Sequence, residues 1–259
     1  MAQPDRPRSE DFVQSLERGL AVILAFDEQH RQLGLSEVAA RTGLTRAVVR
    51  RFLLTLVELG YVRNDGGQFS LRPRVLALGH SYLASLSLPE VAQPQMRDLA
   101  ALTGESVSLA VLDEDEIVYV AQVTAARPMS VRIDVGTRFP AYATAMGRVL
   151  IAAQSDDWID RYLARVDLRP FTPYTITSPT QLREVLLAVR RDGYAHVGQE
   201  LDFSLRALAT AIRDGAGATI AALNISTHTR GVEVAVAELL PALREAATTV
   251  ERDLGPRSR

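Results

Sequence analysis

Cysteine is missing from the 259 residues, and so is lysine. Without thiols there is no disulfide framework and no thiolate metal or redox chemistry. Without lysine, the 29 basic residues are all arginine, planar forks suited to phosphate or carboxylate. Long apolar runs are missing too. None approaches the roughly 18 residues of a membrane span, and the opening MAQPDRPRSED has no apolar signal core. These absences predict a cytoplasmic protein without membrane contact. The usual catalytic signatures are also lacking. Gly-x-Ser-x-Gly does not occur, no Gly-rich phosphate loop ends in Lys, and Gly215-Ala-Gly217 lacks the third glycine of a dinucleotide fingerprint. His30, His80, His196 and His228 are scattered without metal-ligand spacing. No catalytic residue, metal or cofactor is predicted, although side chains united only by folding escape such a scan.

What is present is material for one large or two ordinary domains, with apolar residues at 47% to build their cores. Net charge is only −2, so the whole chain is no general polyanion binder. The distribution is uneven. Residues 40–80 hold Arg41, Arg46, Arg50, Arg51, Arg63, Arg72 and Arg74 against Glu58 and Asp65, a balance of +5. Beyond residue 86, 18 arginines face 22 acids. A basic patch on an acidic protein fits one DNA-facing surface. On charge alone, a salt-bridged helix surface fits equally well.

The chain order supports the first reading. Residues 1–11 are polar and Pro-rich, a disordered tail. FVQSLERGLAVILAFD repeats Leu16, Leu20, Ile23 and Leu24 at helical spacing. In GLSEVAARTG, Ser36 suits an N-cap and Gly43 a C-terminal stop, giving a short helix over 37–42. After a tight turn, Thr45 caps a longer helix that stops at Gly60. Asn64-Asp-Gly-Gly67 then marks a hairpin. Helix, helix, turn, helix and hairpin make a winged helix-turn-helix over 12–72. Residues 73–88, with Val75, Leu78, Tyr82 and Leu86, predict a linker helix. From 89 to 259 the pattern is α+β with an antiparallel sheet. It runs as a helix ending at Gly104, then strands over 105–113, 116–123 and 128–134, with Gly136–Pro140 as a loop. Helices follow at TAMGRVLIAA, 155–166 and 179–192, capped by Thr144, Ser155 and Ser178, then strands at YAHVGQ, 205–212 and 218–226. A last helix spans 234–253, with Pro241 bending or restarting it.

On a wheel of 100° per residue, Val48, Val49, Phe52, Leu56 and Leu59 share one face of the second helix of the pair, with Leu53 at its border. Arg46, Ala47, Arg50 and Arg51 occupy the opposite arc near the N-terminus. Recognition helices present that end to base edges. Arg46 and Arg50 are the candidates for bidentate contact with guanine. Arg51 suits a base, a phosphate or a salt bridge, Thr45 a cap that also meets phosphate, and Arg63 on the wing a phosphate.

SLERGLAVILAF, GLSEVAARTGLTRAVVRRFLLTLVELGYV, GTRFPAYATAMGRVLIAA, GYAHVGQELDFSLRALA and IAALNIS, in that order, resemble the IclR family of bacterial transcriptional regulators over residues 12–254. RRFLLTLVELGYV and VRIDVGTRFPAYATAMGR look most like its subgroup for aromatic catabolism through the β-ketoadipate pathway. The resemblance implies a winged-helix DNA-binding domain, a linker helix and a GAF-like effector domain. It also implies homodimers or dimers of dimers on operator DNA, and effectors such as protocatechuate, 4-hydroxybenzoate or β-ketoadipate. The family's recognition helix commonly carries Ser-Thr where this chain has Ala47-Val48, so operator sequences do not transfer. The alternative is a small-molecule-binding or enzymatic GAF-like domain that uses its winged helix only for oligomerisation.

The same resemblance places an effector pocket around Ala143, Thr144, Ala145 and Met146, and at Val197, Ala207, Asn224 and Ser226. Relatives carry Asp, Cys, Ser and Ser at the last four, so this pocket is more apolar and better suited to an aromatic acid. A carboxylate needs a positive partner or oriented amides. Arg132 and Arg148 are the candidate forks, with the helix N-terminus near Thr144 as a source of N–H groups. Glu200 and Tyr119 are candidates for phenolic hydroxyls. Val107, Leu109 and Val111 read as core.

Overall fold

The computed structural model describes residues 11–27, 29–78, 88–125, 133–227 and 232–254. The chain divides into two compact units, Met1–Ser85 and Leu86–Arg259.

The first unit contains α1 (Gln14–Leu24), β1 (Leu33–Gly34), α2 (Leu35–Thr42), α3 (Arg46–Glu58), β2 (Val62–Asp65) and β3 (Gln68–Leu71). Its strands form a small antiparallel sheet in the order β1-β3-β2, the wing. α2 starts earlier than Ser36 allows. Gly34 is its N-cap residue, and the Glu37 carboxylate accepts the Gly34 N–H at 2.7 Å. A carboxylate three residues inside the helix thus does what the serine was expected to do. Gly43 ends α2 at φ 68°, a left-handed turn that favours glycine. Thr45 then caps α3, its hydroxyl accepting the Val48 N–H at 3.4 Å. The hairpin turns on Gly66 and Gly67, both at positive φ, and Asn64 Oδ1 accepts the Gly67 N–H at 2.9 Å.

The core of this unit joins Val22 and Phe26 of the α1 segment to Leu33, Val38, Val49, Leu53, Leu56, Val62 and Phe69. The wheel reading of α3 is corrected in two places. Leu53 is fully buried at the centre of the packed stripe, while Leu59 is 51% exposed. Leu59 is the C-cap of α3 and keeps the helical register, its N–H donating to the Thr55 carbonyl at 2.9 Å, but it sits at the end of the helix with its side chain open to solvent. On α1, Leu16, Leu20 and Leu24 are exposed, and Val22 is the buried residue. Of the helical repeat read there, Ile23 packs against this core and the three leucines face away from it. Beyond the 3₁₀ turn Pro73–Val75, residues 76–78 are helical, and the rest of the expected linker helix up to 87 lies outside the described residues.

The second unit opens with α4 (Leu88–Thr103), whose last residues and Leu88 border a six-stranded sheet. The strands are β4 (Ser106–Asp113), β5 (Glu116–Val123), β6 (Arg138–Pro140), β7 (Tyr194–Gly198), β8 (Arg206–Arg213) and β9 (Thr219–Thr227). Their order is β6-β5-β4-β9-β8-β7, and every pairing is antiparallel. The loop expected over 136–140 contains β6, because Val118, Ile117 and Glu116 supply ladder partners for Arg138, Phe139 and Pro140. Of the strand expected at 128–134, residues 133–134 are not in a strand, and 128–132 lie outside the described residues.

Four helices complete this unit: α5 (Ala145–Ala152), α6 (Asp156–Arg165), α7 (Pro179–Asp192) and α8 (Val232–Leu254). Thr144, Ser155 and Ser178 cap the first three through their hydroxyls, as their positions predict. α8 runs through Pro241 as a single helix. α8 packs on one face of the sheet over β8 and β9, the face carrying Leu208, Ile212, Ala221, Leu223 and Ile225, while α4 packs beside α8 over β4 and β5. α5 packs on the other face, with α7 against it.

Candidate functional site

On the first unit, Thr45, Arg46, Ala47, Arg50 and Arg51 are all exposed along the first turns of α3. Three other arginines of the basic patch are engaged. Arg41 is bonded to Asp27. A hydrogen bond from His30, with Arg41 beside it, holds the Asp27 carboxyl below the ordinary carboxylate range. Arg63 on β2 bonds Asp65 at 2.6 Å. The Arg74 guanidinium lies over the Tyr61 ring, 5.3 Å from its centroid. Arg46, Arg50 and Arg51 have no ion-pair partner among the described residues. The salt-bridged reading of the patch therefore describes its flanks, and the free positive charge is concentrated on α3.

On the second unit, the sheet face beneath α5 is built from small side chains. Strand register puts Ala207, Ala209 and Ala211 of β8 opposite Ser226, Asn224 and Ala222 of β9. β4 continues the rows, with Ser106 opposite Ser226, Ser108 opposite Asn224 and Ala110 opposite Ala222. On the far side Val197 and Ala195 of β7 meet Ala207 and Ala209. The opposite face of β8 and β9 carries Leu and Ile instead. A floor of Ala and Ser under a helix leaves a hollow that larger residues would fill.

That hollow is a cleft lined by Tyr119, Thr144, Ala145, Met146, Val197, Glu200, Leu201, Leu205, Ala207, Asn224 and Ser226. The lining leaves room for about one water-sized molecule. α5 enters it by its N-terminus. Thr144 Oγ1 accepts the Gly147 N–H at 3.0 Å and its carbonyl accepts the Arg148 N–H at 3.0 Å. The N–H groups of Ala145 and Met146 remain at the cleft with the positive end of the helix dipole. Gly147 lets α5 come this close: a Cβ on it would sit 2.0 Å from the Ala141 carbonyl oxygen.

Three polar groups give the cleft its chemistry. Asn224 is 2% exposed, and its Nδ2 donates to Ser226 Oγ at 3.1 Å. Its Oδ1 is buried with no hydrogen-bond partner among the described residues. Burial pushes the Tyr119 hydroxyl up to about 12, so it is a neutral hydroxyl at physiological pH. Glu200 is buried beside Arg148. Arg148 Nη2 donates to Glu200 Oε2 at 2.6 Å, and its Nε donates to the Tyr142 carbonyl at 2.9 Å. Arg148 is therefore neither on the solvent surface nor on the cleft wall; it stands behind Glu200. Arg132, the other candidate fork, lies outside the described residues.

Sequence reasoning missed Leu201 and Leu205 of the wall, and the segment 172–176 that anchors Glu200. Thr175 Oγ1 donates to the Glu200 carbonyl at 2.6 Å, and the Ile176 N–H to Glu200 Oε2 at 3.0 Å. These are irregular segments with no periodicity to read. The alternating alanines 207, 209 and 211 were a readable signal of a hollow face.

A larger, shallower groove is lined by Leu112, Glu114, Leu150, Gln154, Trp158, Arg165, Thr219 and Ile220. Its one cation among the described residues, Arg165, is bonded to Asp115 at 2.5 Å and lies over Trp158. It offers no buried, unpartnered polar group, so the enclosed cleft is the better site. Among the described residues no cluster of His, Asp or Glu could hold a metal, and no helix is long and apolar enough to cross a membrane.

A helix-turn-helix unit with a bare cationic recognition helix, in one chain with an α+β unit enclosing a small cleft, defines a ligand-responsive transcriptional regulator. The IclR helix-turn-helix domain model matches residues 15–66, and the model of the bacterial transcriptional regulator IclR C-terminal domain matches residues 80–252. The chain belongs to the IclR family. It is 45% identical over 219 residues to the Pca regulon regulatory protein of Pseudomonas putida, covering 84% of this chain and 75% of that one. Among solved structures it is similar to a transcriptional regulator from Rhodococcus sp. RHA1, with 52% identity, a TM-score of 0.84 and coverage of 94% and 98%. It is also similar to an IclR homologue from Microbacterium hydrocarbonoxydans complexed with 4-hydroxybenzoate, with 27% identity, a TM-score of 0.82 and coverage of 93% and 99%. The expectation that the chain is a regulator and not an enzyme rests on this membership.

Proposed function

We propose that this regulator controls genes for the breakdown of an aromatic acid, and that the acid itself, or a product close to it, is the effector bound under α5. The observation that carries this is the buried, unpartnered Asn224 Oδ1 in a cleft that is also lined by Ala145 and Met146, the first two residues of α5, whose N–H groups have no acceptor within the helix. A carboxylate accepts from those N–H groups, and an apolar ring lies on the alanine floor between Val197, Leu201 and Leu205. The names of two relatives point the same way, one for the Pca regulon and one for its bound 4-hydroxybenzoate. Because the cleft is nearly closed, effector entry must widen it. That widening gives the ligand different affinities for two conformations, which is what lets it shift DNA binding.

Operator DNA is held by α3. Arg46 and Arg50 reach base edges, Arg51 reaches base or phosphate, Thr45 and the wing residue Arg63 meet phosphate, and Ala47 offers a methyl to the groove. The exposed Leu16, Leu20 and Leu24 on α1 pair with a second copy, making the cytoplasmic form a homodimer or a dimer of dimers. A purely oligomerising winged helix would leave three exposed, unpaired arginines on α3 without a task.

Fluorescence anisotropy on DNA flanking the gene, across a salt series, tests the reading. Arg50→Ala is expected to weaken specific binding by about 1–3 kcal/mol, with a smaller loss on random DNA. Equal losses on both sequences would overturn a base-reading role.

A further inference from the structure

Resting on the aromatic-acid reading, we infer that Glu200 is the specificity-determining residue of the cleft, and that it restricts the effector to aromatic monocarboxylic acids carrying a hydroxyl donor.

Among the described residues Glu200 is one of two ionisable side chains on the cleft wall, with Tyr119, and it is the one held in an ion pair, with Arg148. Its two oxygens are not equivalent. Oε2 accepts from Arg148 Nη2 at 2.6 Å and from the Ile176 N–H at 3.0 Å. Oε1 has no hydrogen-bond partner among the described residues, and it is the oxygen left to the cleft. The backbone that carries Glu200 is also held. Thr175 Oγ1 donates to the Glu200 carbonyl and Thr172 Oγ1 to the Gln199 carbonyl, each at 2.6 Å. Gln199 itself sits at φ 63°, a left-handed conformation that a side chain adopts only when its surroundings impose it. Glu200 is thus fixed in position and, in its pair with Arg148, is an acceptor with nothing to donate.

A fixed anionic acceptor in an enclosed cleft selects by what it leaves unpaired. A ligand hydroxyl donates to Oε1 and makes a charge-assisted bond. A ring hydrogen or a methoxy group in the same place strips water from the carboxylate and returns nothing. A second ligand carboxylate meets like charge, since Arg148 is already bonded to Glu200 and to the Tyr142 carbonyl. The ligand's own carboxylate goes to the other polar end, at the N-terminus of α5. Arg148 is a positioning residue here: it holds Glu200 and does not touch the effector.

Isothermal titration of the full chain tests this with five probes: 4-hydroxybenzoate, 3,4-dihydroxybenzoate, benzoate, 4-methoxybenzoate and adipate. At least one hydroxylated acid is expected to bind ten- to a hundredfold tighter than benzoate and 4-methoxybenzoate, with adipate weaker still. Benzoate or 4-methoxybenzoate within threefold of the better hydroxylated acid would overturn the inference and leave the aromatic-acid reading standing. Adipate as the tightest ligand, or no aromatic acid binding at all, would remove both. The Glu200→Gln variant adds a second readout: the preference for the hydroxylated acid over 4-methoxybenzoate should collapse, because an amide can donate to the ether oxygen. An unchanged preference in a folded variant counts against Glu200. If the variant does not fold, the five-ligand series on the natural chain decides alone.

Discussion

Arg148 and Glu200 are 52 positions apart in sequence and meet at 2.6 Å inside the second unit. Nothing local signals such a pair, so the sequence reading made Arg148 a candidate fork for the effector and not the partner of Glu200. The α3 arginines were legible for the opposite reason. What the structure shows of them is their exposure, which depends on which side of one helix they occupy, and a helix wheel supplies that. Deep in the same region, burial lowers the proton affinity of His196, with Arg206 and Arg148 adding to the effect and Glu200 opposing it. Its Nε2 is buried without a partner among the described residues. The folded protein therefore disfavours the imidazolium that the unfolded chain accepts near the ordinary histidine value of 6.5. The unfolded state binds the extra proton, so stability falls as pH drops below that value and levels off below the depressed folded value. Chemical denaturation between pH 7.5 and 5 should show this fall, and His196→Gln should flatten it. An unchanged slope in the variant would assign the pH dependence to other groups.

At the scale of the element, α5 depends on Gly147. The position tolerates no Cβ, because backbone and not a movable side chain lies 2.0 Å away. Gly147→Ala is expected to push α5 off the 141–143 turn and lower stability by at least about 1–3 kcal/mol. Effector binding should fail, while the isolated contacts of α3 with DNA are untouched. Thermal unfolding with and without effector measures both parts; a stable variant with normal effector binding would contradict the packing argument. The caps Thr45, Thr144, Ser155 and Ser178 were legible because a cap and its N–H lie within three residues. The start of α2 was misplaced by two residues because Glu37, not Ser36, performs the capping. β6 was read as a loop because three residues carry no pattern, and only pairing with 116–118 makes them a strand.

At the scale of the molecule, the division into a helix-turn-helix and an α+β unit was legible from element order alone. The strand order was not. β9 inserts between β4 and β8, a pairing across more than 100 residues that no local pattern encodes. The exposed leucines of α1 bear on assembly. Leu16, Leu20 and Leu24 repeat at helical spacing yet are exposed, and the proposed dimer uses them as its contact with a second copy. Leu16→Glu with Leu20→Glu is expected to shift sedimentation from dimer toward monomer. Operator affinity should fall with it, since one half-site supplies only half the contacts. Unchanged sedimentation would place the dimer contact elsewhere. Affinity for DNA should also decline steeply with salt, as each arginine–phosphate contact releases counterions.

The alanine floor beneath α5 gives this protein an easy route to a new ligand. Ala207 and Ala209 lie on strands whose other face, with Leu208 and Ile225, holds the sheet to α8. Adding a methyl or two on the hollow side changes the shape offered to an effector without disturbing the packing behind it. On the proposed function, lineages that inherit this sheet can exchange one effector for another by single substitutions in the second unit, with no change to α3 in the first.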